Sequence, residues 1–221
     1  MDRYKITLRG RNHLTADYYA FHFDKPEGLT FEEGQYGVFL IDDRPVEGRN
    51  LRAFSFASSQ DESNLMIATK IVSEPSDYKR QLLEMEDGAE MTVAGPTGRF
   101  TLEPDHDAVF IAGGIGITPI RSMLMTRQVH DYNTKHVLIY SELNEAYPFA
   151  DELNELNGVD IHYTSGVEPT RNQIEAVAAA HMNEAYYYLA GSPGFVSGIQ
   201  DQLVLLGIQP DRIKYDRFTG Y

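Results

Sequence analysis

Residues 108–119 read Ala108-Val109-Phe110-Ile111-Ala112-Gly113-Gly114-Ile115-Gly116-Ile117-Thr118-Pro119. The apolar run at 108–112 has the length and composition of a buried strand, and the glycines at 113, 114 and 116 form a turn that side chains would obstruct. Thr118-Pro119 reads as a helix start, with a hydroxyl placed to cap free amides and a proline where its missing N–H costs nothing. Strand, glycine loop and helix in this order describe the carboxyl end of a strand in a doubly wound α/β sheet. There, backbone amides and a helix N-terminus can face an anion. Tight strand-to-helix packing uses the same residues, and the loop by itself does not choose between the two.

The pattern repeats downstream. Apolar runs at 136–140, 159–163, 186–190 and 213–215 alternate with helical segments at about 119–129, 148–156, 171–181 and 193–206. Alternation of this kind predicts a mostly parallel sheet. Gly191-Ser192-Pro193-Gly194 follows the fourth strand as a second glycine loop, with Ser192 placed to cap before Pro193. Thr170 and Gln173 have the spacing of a capping box, and His181 falls at a helix C-terminus, where partial positive charge is favourable. Tyr186-Tyr187-Tyr188 reads as a buried strand.

Upstream of Pro104 the chain has a different character. Short strand-like segments at 4–8, 18–23, 37–41, 51–57, 65–70 and 90–94 surround one convincing helix at 76–85, with Ser76 as its cap. This predicts a small antiparallel β-barrel. The expected organisation is two domains, 1–103 and 104–221, joined tightly at Glu103-Pro104-Asp105.

Composition limits the functions available. The 221 residues carry a net charge of −14. Residues 1–105 and 106–221 each contribute −7, so no basic half marks a nucleic-acid arm. A pI near 4.8 also disfavours attraction to an anionic membrane surface. The absence of cysteine excludes disulfides and thiolate-bound zinc or iron–sulfur clusters within the chain. No stretch reaches the roughly 18 apolar residues of a membrane span, and the start, Met1-Asp2-Arg3-Tyr4-Lys5, lacks the apolar core of a signal peptide, so a cytoplasmic location is expected. Seven histidines show no close metal-ligand spacing. Nucleophile elbows, paired catalytic carboxylates and a Walker loop are absent from the sequence.

Five segments in order resemble the ferredoxin-NADP reductase superfamily over essentially the full length. Arg52-Ala53-Phe54-Ser55 resembles its flavin signature Arg-x-Tyr-Ser, with Phe in place of Tyr. Gly95-Pro96-Thr97-Gly98-Arg99-Phe100 resembles its inter-domain joint, Gly113 to Pro119 its nicotinamide-dinucleotide loop, and Gly191-Ser192-Pro193 most of its Cys-Gly-x-Pro loop. Asp216-Arg217-Phe218-Thr219-Gly220-Tyr221 resembles its acidic-x-aromatic ending. The resemblance implies an FAD-binding barrel followed by an NAD-binding domain, with FMN as the other possible flavin.

It further implies that Arg52 meets the flavin phosphate, that Phe54 lies on the flavin ring, and that Ser55 stands near flavin N5. Ala53, Thr69, Lys70 and the helix start at Ser76 belong to the same contact set. Gly113, Gly114, Gly116, Thr118, Pro119, Gly191, Ser192 and Pro193 would contact the dinucleotide. Ser55 and Asp216 would be the catalytic pair, with Phe218 at the flavin edge and Tyr221 in reach of the nicotinamide position. Read without the resemblance, Phe54 is a core aromatic, Arg52 a surface cation and Ser76 a simple cap.

Besides Phe54, three positions depart from the family pattern: Ser73 replaces a glycine, Ala190 a cysteine, and Asp216 a glutamate. The loop Ser141-Glu142-Leu143-Asn144-Glu145 offers no cation for a 2′-phosphate, which favours NADH over NADPH. The expected activity is hydride transfer from NAD(P)H to FAD, with electrons passed to a ferredoxin-like or oxygenase protein or to a small-molecule acceptor. A free-flavin or ferric-chelate reductase is the first alternative, and a weakly catalytic scaffold or electron-transfer subunit the second.

Overall fold

The computed structural model describes residues 1–126 and 134–219. Two compact units emerge, one of Met1–Thr101 with Arg121–Thr126, the other of Leu102–Ile120 with the described residues from 134 onward.

In the first unit, β1 (Arg3–Thr15), β2 (Tyr18–Asp24), β3 (Tyr36–Leu40), β4 (Leu51–Ser55), β5 (Asn64–Lys70) and β6 (Glu90–Thr97) form one sheet in the order β4-β3-β6-β1-β2-β5. Every ladder is antiparallel. No ladder joins the end strands β4 and β5 among the described residues, so the barrel-like sheet is open there. Alternate residues supply the core, with Ile6 and Leu8, Phe21 and Phe23, Leu65 and Ile67, and Met91 and Val93 in one buried cluster.

β1 outruns its expected length. Its first half pairs with β6, and its second half, from Leu8, continues along β2 through two register shifts. The polar residues at 9–13 conceal that continuation, because a strand paired at a sheet bend need not alternate cleanly.

Helix α1 (Asp77–Glu84) buries Tyr78 and Leu82, one turn apart, against the sheet. Ser76 precedes it without forming a side-chain cap. Asp77, the first residue of the helix, accepts from the Glu47 amide of a preceding loop and from the Arg80 side chain, and its negative charge suits the helix N-terminus.

The chain continues through β7 (Asp107–Gly113), α2 (Ile117–Leu124), β8 (His136–Ser141), α3 (Ala150–Asn154), β9 (Val159–Thr164), α4 (Val167–His181), β10 (Ala185–Gly191), α5 (Pro193–Leu205) and β11 (Ile213–Arg217). The five strands order as β11-β10-β7-β8-β9, with every ladder parallel. Val109 and Ile111, Val137 and Ile139, and Tyr187 and Leu189 share a cluster with Ile174 and Val177 of α4 and Val196 and Ile199 of α5. The opposite-facing Phe110, Leu138 and Tyr188 are buried too, which explains the unbroken apolar runs. No helix among the described residues is long and apolar enough to cross a membrane.

Of the three caps expected in this second unit, two form differently. A 3-10 turn over Gly114–Gly116 carries the chain into α2 at Ile117, so Thr118 lies inside the helix and its hydroxyl donates to the Ile115 carbonyl at 3.1 Å. α4 begins behind Gly166, at φ 88°, and Thr170 is likewise internal, donating to the Gly166 carbonyl at 2.7 Å. Ser192 does cap α5, accepting from the Phe195 amide, with Pro193 at the first helical position. The expected helix at 119–129 is described only through Leu124, and positions 127–129 fall outside the described residues.

Gly116 has no room for a side chain: a Cβ there would lie 2.2 Å from the Ala190 carbonyl oxygen. Gly194, in α5, has no neighbour within 4 Å of the same position. Gly116→Ala should therefore cost about 2–4 kcal/mol in urea unfolding, and Gly194→Ala at most about 0.5 kcal/mol. Equal effects would refute this account of the packing.

Candidate functional site

In the second unit the chain runs outward from β7 to β8 and β9, then returns to place β10 and β11 on the other side of β7. The reversal falls between β7 and β10, and the carboxyl ends of strands at such a reversal are the position at which open α/β sheets bind ligands. Both glycine loops meet there. Gly113 and Gly114 are partly exposed, whereas Gly116, Thr118 and Pro119 are buried. The burial separates the loop's two roles: residues 116–119 pack the start of α2, and only 113 and 114 present backbone outward. Tyr140, at the end of β8, donates to the Gly114 carbonyl at 3.1 Å and so braces the outward part.

Gly191 is buried, Ser192 partly exposed and Pro193 exposed. The Phe218 amide donates to the Gly191 carbonyl at 2.8 Å, tying the end of β11 to the second loop. Asp216 is opposite Ala190 in the β10–β11 register. Ser55 does not share this unit, and Tyr221 lies outside the described residues.

The loop after β8 is held by hydroxyls. Ser141 and Thr164 each meet the Thr170 hydroxyl at 2.9 Å, and Tyr147 donates to the Thr164 carbonyl at 2.9 Å. Glu142 is buried within this arrangement, at 8% exposure, rather than standing solvated on the loop. Burial, and secondarily Glu145 and Glu142, raise the Tyr147 phenol above its ordinary pKa, so it remains a neutral donor.

In the first unit, β4 and α1 bring a second group together. The Arg52 guanidinium lies 5.3 Å from the Tyr78 ring centroid, and Phe54 is 6.1 Å from Tyr78 and 5.7 Å, edge-on, from Phe39. Phe54 is only half-buried in that aromatic group, while Ser55 is buried at the end of the strand. Ala53 is exposed. Thr69 is buried at the end of β5, and the Lys70 ammonium sits 5.3 Å from the Tyr18 ring. Ser76 is exposed just ahead of α1.

Lys79, in the first turn of α1, belongs to this group and was not among the residues picked from the sequence. Its ammonium donates to the Lys70 carbonyl at 2.8 Å. Burial, and then the positive charge of Arg52, hold its pKa below that of a free lysine. Arg52 itself donates to the Arg49 and Leu51 carbonyls. No ion pair among the described residues includes Arg52 or Lys79. Two cations facing each other without a carboxylate form a positive pole that an anion would neutralise, and the adjoining helix N-terminus has the same preference. A sequence signal for Lys79 existed: a cation in the first turn opposes the helix dipole, unless an anion is bound there.

Residues 110–201 match the oxidoreductase NAD-binding domain family. Ferredoxin–NADP reductase B of Sorangium cellulosum is 31% identical over 202 residues, covering 83% of this chain and 81% of that protein. A flavohemoprotein of Bacillus subtilis is 26% identical over 210 residues, covering 85% of this chain and 51% of that protein. The chain thus spans about half the length of the flavohemoproteins it matches. Among solved structures, the ferredoxin-NADP+ reductase of Plasmodium falciparum superposes with a TM-score of 0.80 at 18% identity, covering 97% of this chain and 95% of that one, a likeness of fold. With the two sheets, the glycine loops at the strand-order reversal and the reductase relative at this identity and coverage, the chain belongs to the ferredoxin-NADP reductase superfamily.

Proposed function

We propose that the chain is the reductase module of a flavin-dependent NAD(P)H oxidoreductase, with residues 1–103 binding FAD and residues 104–221 binding the dinucleotide. The observation that carries this reading is the uncompensated pole of Arg52 and Lys79 beside Phe54. In a chain of net charge −14, it provides two cations suited to phosphate and an aromatic face beside them. Arg52 would hold the flavin phosphate through its planar fork, and Lys79 would add a point charge. Phe54 would pack on the ring system, and Ser55 would orient its polar edge. FAD, when bound, accepts hydride and releases electrons singly. The protein's own contribution is positioning, which supplies much of the rate in such transfers.

The outward backbone of Gly113 and Gly114 would receive the dinucleotide phosphates, and Asp216 and Phe218 would stand near the hydride-transfer end. NADH is the favoured donor because Glu142 is held in place where the adenosine ribose is expected, and it would repel a 2′-phosphate. The acceptor is proposed to be a separate redox protein, of the kind served by a relative 29% identical over 227 residues, the propane 2-monooxygenase reductase component of Rhodococcus jostii. A −14 chain favours a partner that is not strongly acidic.

The direct test is anaerobic titration of the desalted protein with NADH and, separately, with NADPH, after identification of any released flavin. Stoichiometric FAD that bleaches on addition of nucleotide is expected. A colourless protein that oxidises NADH only with added flavin would replace this reading with a free-flavin reductase. Neither binding nor oxidation would leave a scaffold.

Two further outcomes are specific to named residues. Arg52→Gln and Lys79→Gln should each weaken FAD binding by about tenfold or more while leaving riboflavin, which has no phosphate, unchanged. Because the Lys79 pKa is depressed, its charge is lost early as pH rises. FAD affinity should therefore fall on the alkaline side in the native protein, and at higher pH in Lys79→Arg. Equal losses of FAD and riboflavin, or a pH profile unmoved by the arginine, would remove Lys79 from the phosphate site.

Glu142→Ala should narrow the preference for NADH over NADPH by about tenfold in kcat/KM. An unchanged ratio would show that Glu142 does not select the nucleotide.

A further inference from the structure

Thr170 is the fourth residue of α4 and is buried, at 4% exposure. Its hydroxyl oxygen lies 2.7 Å from the Gly166 carbonyl and 2.9 Å from each of the Ser141 and Thr164 hydroxyls. A hydroxyl has one proton to donate and two lone pairs with which to accept. The Gly166 carbonyl can only accept, so the Thr170 proton goes to it, in the backward bond to residue i−4 that threonine forms inside a helix. Both lone pairs of Thr170 then remain for the other two hydroxyls, and Ser141 and Thr164 each donate to it. The capacity of Thr170 is used in full, which fixes the direction of all three hydrogen bonds.

The consequence falls on Ser141. It is the last residue of β8, paired in register with Gly113 of β7, and it is partly exposed. The neighbouring Thr164 carbonyl already accepts from the Glu142 amide at 3.1 Å and from the Tyr147 hydroxyl at 2.9 Å, so it offers the Ser141 proton no alternative. With that proton committed inward to Thr170, the Ser141 oxygen has only lone pairs to offer a ligand. Such an oxygen accepts from a ribose hydroxyl. It meets a phosphate, whose oxygens are acceptors at neutral pH, lone pair against lone pair. A serine free to rotate would serve either group, as acceptor for the first and donor to the second.

We infer that Thr170 is a positioning residue that holds Ser141 as a fixed hydrogen-bond acceptor, and that this acceptor selects a free 2′-hydroxyl over a 2′-phosphate on the adenosine ribose of the dinucleotide. The inference rests on the proposed function, which assigns that ribose to the loop that Ser141 opens. Its physical basis differs from that of Glu142. Glu142 repels by charge, over a distance that salt shortens, whereas Ser141 discriminates by donor and acceptor polarity at contact.

The test is equilibrium binding of two probes that undergo no redox reaction, ADP-ribose and its 2′-phosphate. The full chain is compared in native form and as Ser141→Ala, Thr170→Val, Thr170→Ser and the double variant Ser141→Ala/Thr170→Val. Ser141→Ala should weaken ADP-ribose by about fivefold and change the 2′-phosphate by less than about twofold, because only the hydroxyl uses the serine oxygen. An equal or larger loss for the 2′-phosphate would show that Ser141 donates or merely shapes the loop, and would overturn the proposal. Thr170→Val frees the Ser141 proton and should raise the affinity for the 2′-phosphate relative to ADP-ribose by about fivefold. That gain should be absent from the double variant, and Thr170→Ser, which keeps the hydroxyl, should hold the native ratio. A ratio unmoved by valine, a gain that persists without Ser141, or a serine variant that behaves like valine would each remove Thr170 from selection. Should the valine variant not fold, Ser141→Ala and Thr170→Ser still decide the matter by the same ratios. If the native chain bound neither probe, the dinucleotide reading itself would fall, and the inference with it.

Discussion

The parallel-sheet unit depends on an approach of backbone to backbone. Where the strand order reverses, the first turn leading to α2 must cross the end of β10, and Gly116 does so against the Ala190 carbonyl with no space for a methyl group. That approach seats the start of α2 on the sheet, and Thr118 and Pro119 are buried beside it. Before this contact the loop divides by position. Gly113 clears space for Phe195, Gly114 is braced through its carbonyl by Tyr140, and only this part of the loop remains partly exposed. One glycine-rich motif thus satisfies helix packing and aromatic packing with different residues and leaves the backbone at 113 and 114 partly exposed.

A different constraint governs the antiparallel unit. A chain with 33 acidic residues against 19 basic ones would ordinarily surround each cation with carboxylates. The surface pairs Arg9–Asp24, Lys5–Asp42 and Arg44–Asp43 follow that expectation. Arg52 and Lys79 do not, since backbone carbonyls and the Tyr78 ring are their partners. Carbonyls and ring faces solvate a cation without cancelling its charge, so the pole remains available to an anion. Tyr78 holds the arrangement together, because its buried hydroxyl donates to the Phe39 carbonyl while its ring faces Arg52.

Much of the fold was legible because burial imposes periodicity. Strands buried on both faces, such as β7, β8 and β10, appear as continuous apolar runs, and the alternating core of β2, β5 and β6 appears as pairs two residues apart. Other features were not legible. The second half of β1 is polar and depends on its register with β2, and Thr118 and Thr170 have capping residue types but lie inside helices whose starts are set by Gly114 and Gly166. Local hydrogen-bonding capacity does not reveal which amide will be free, since that depends on where tertiary packing begins the helix.

The candidate site divides in the same way. Gly113 and Gly191 stand out by their place between an apolar run and a helix start, where turn geometry restricts the side chain, whereas Arg52 and Phe54 stand out only through the resemblance of residues 52–55 to a flavin signature. Lys79 does not, because lysine suits many positions and acquires its meaning from neighbours distant in the chain. By itself the sequence determined the two-part architecture, the strand and helix order, and the glycine loops, all of which follow from local sterics and the periodicity of burial. Only tertiary structure decided which glycine backbone is left partly exposed and which faces a carbonyl, and which cations lack carboxylate partners. Those properties depend on what occupies the surrounding space, and residues far apart in the chain supply it.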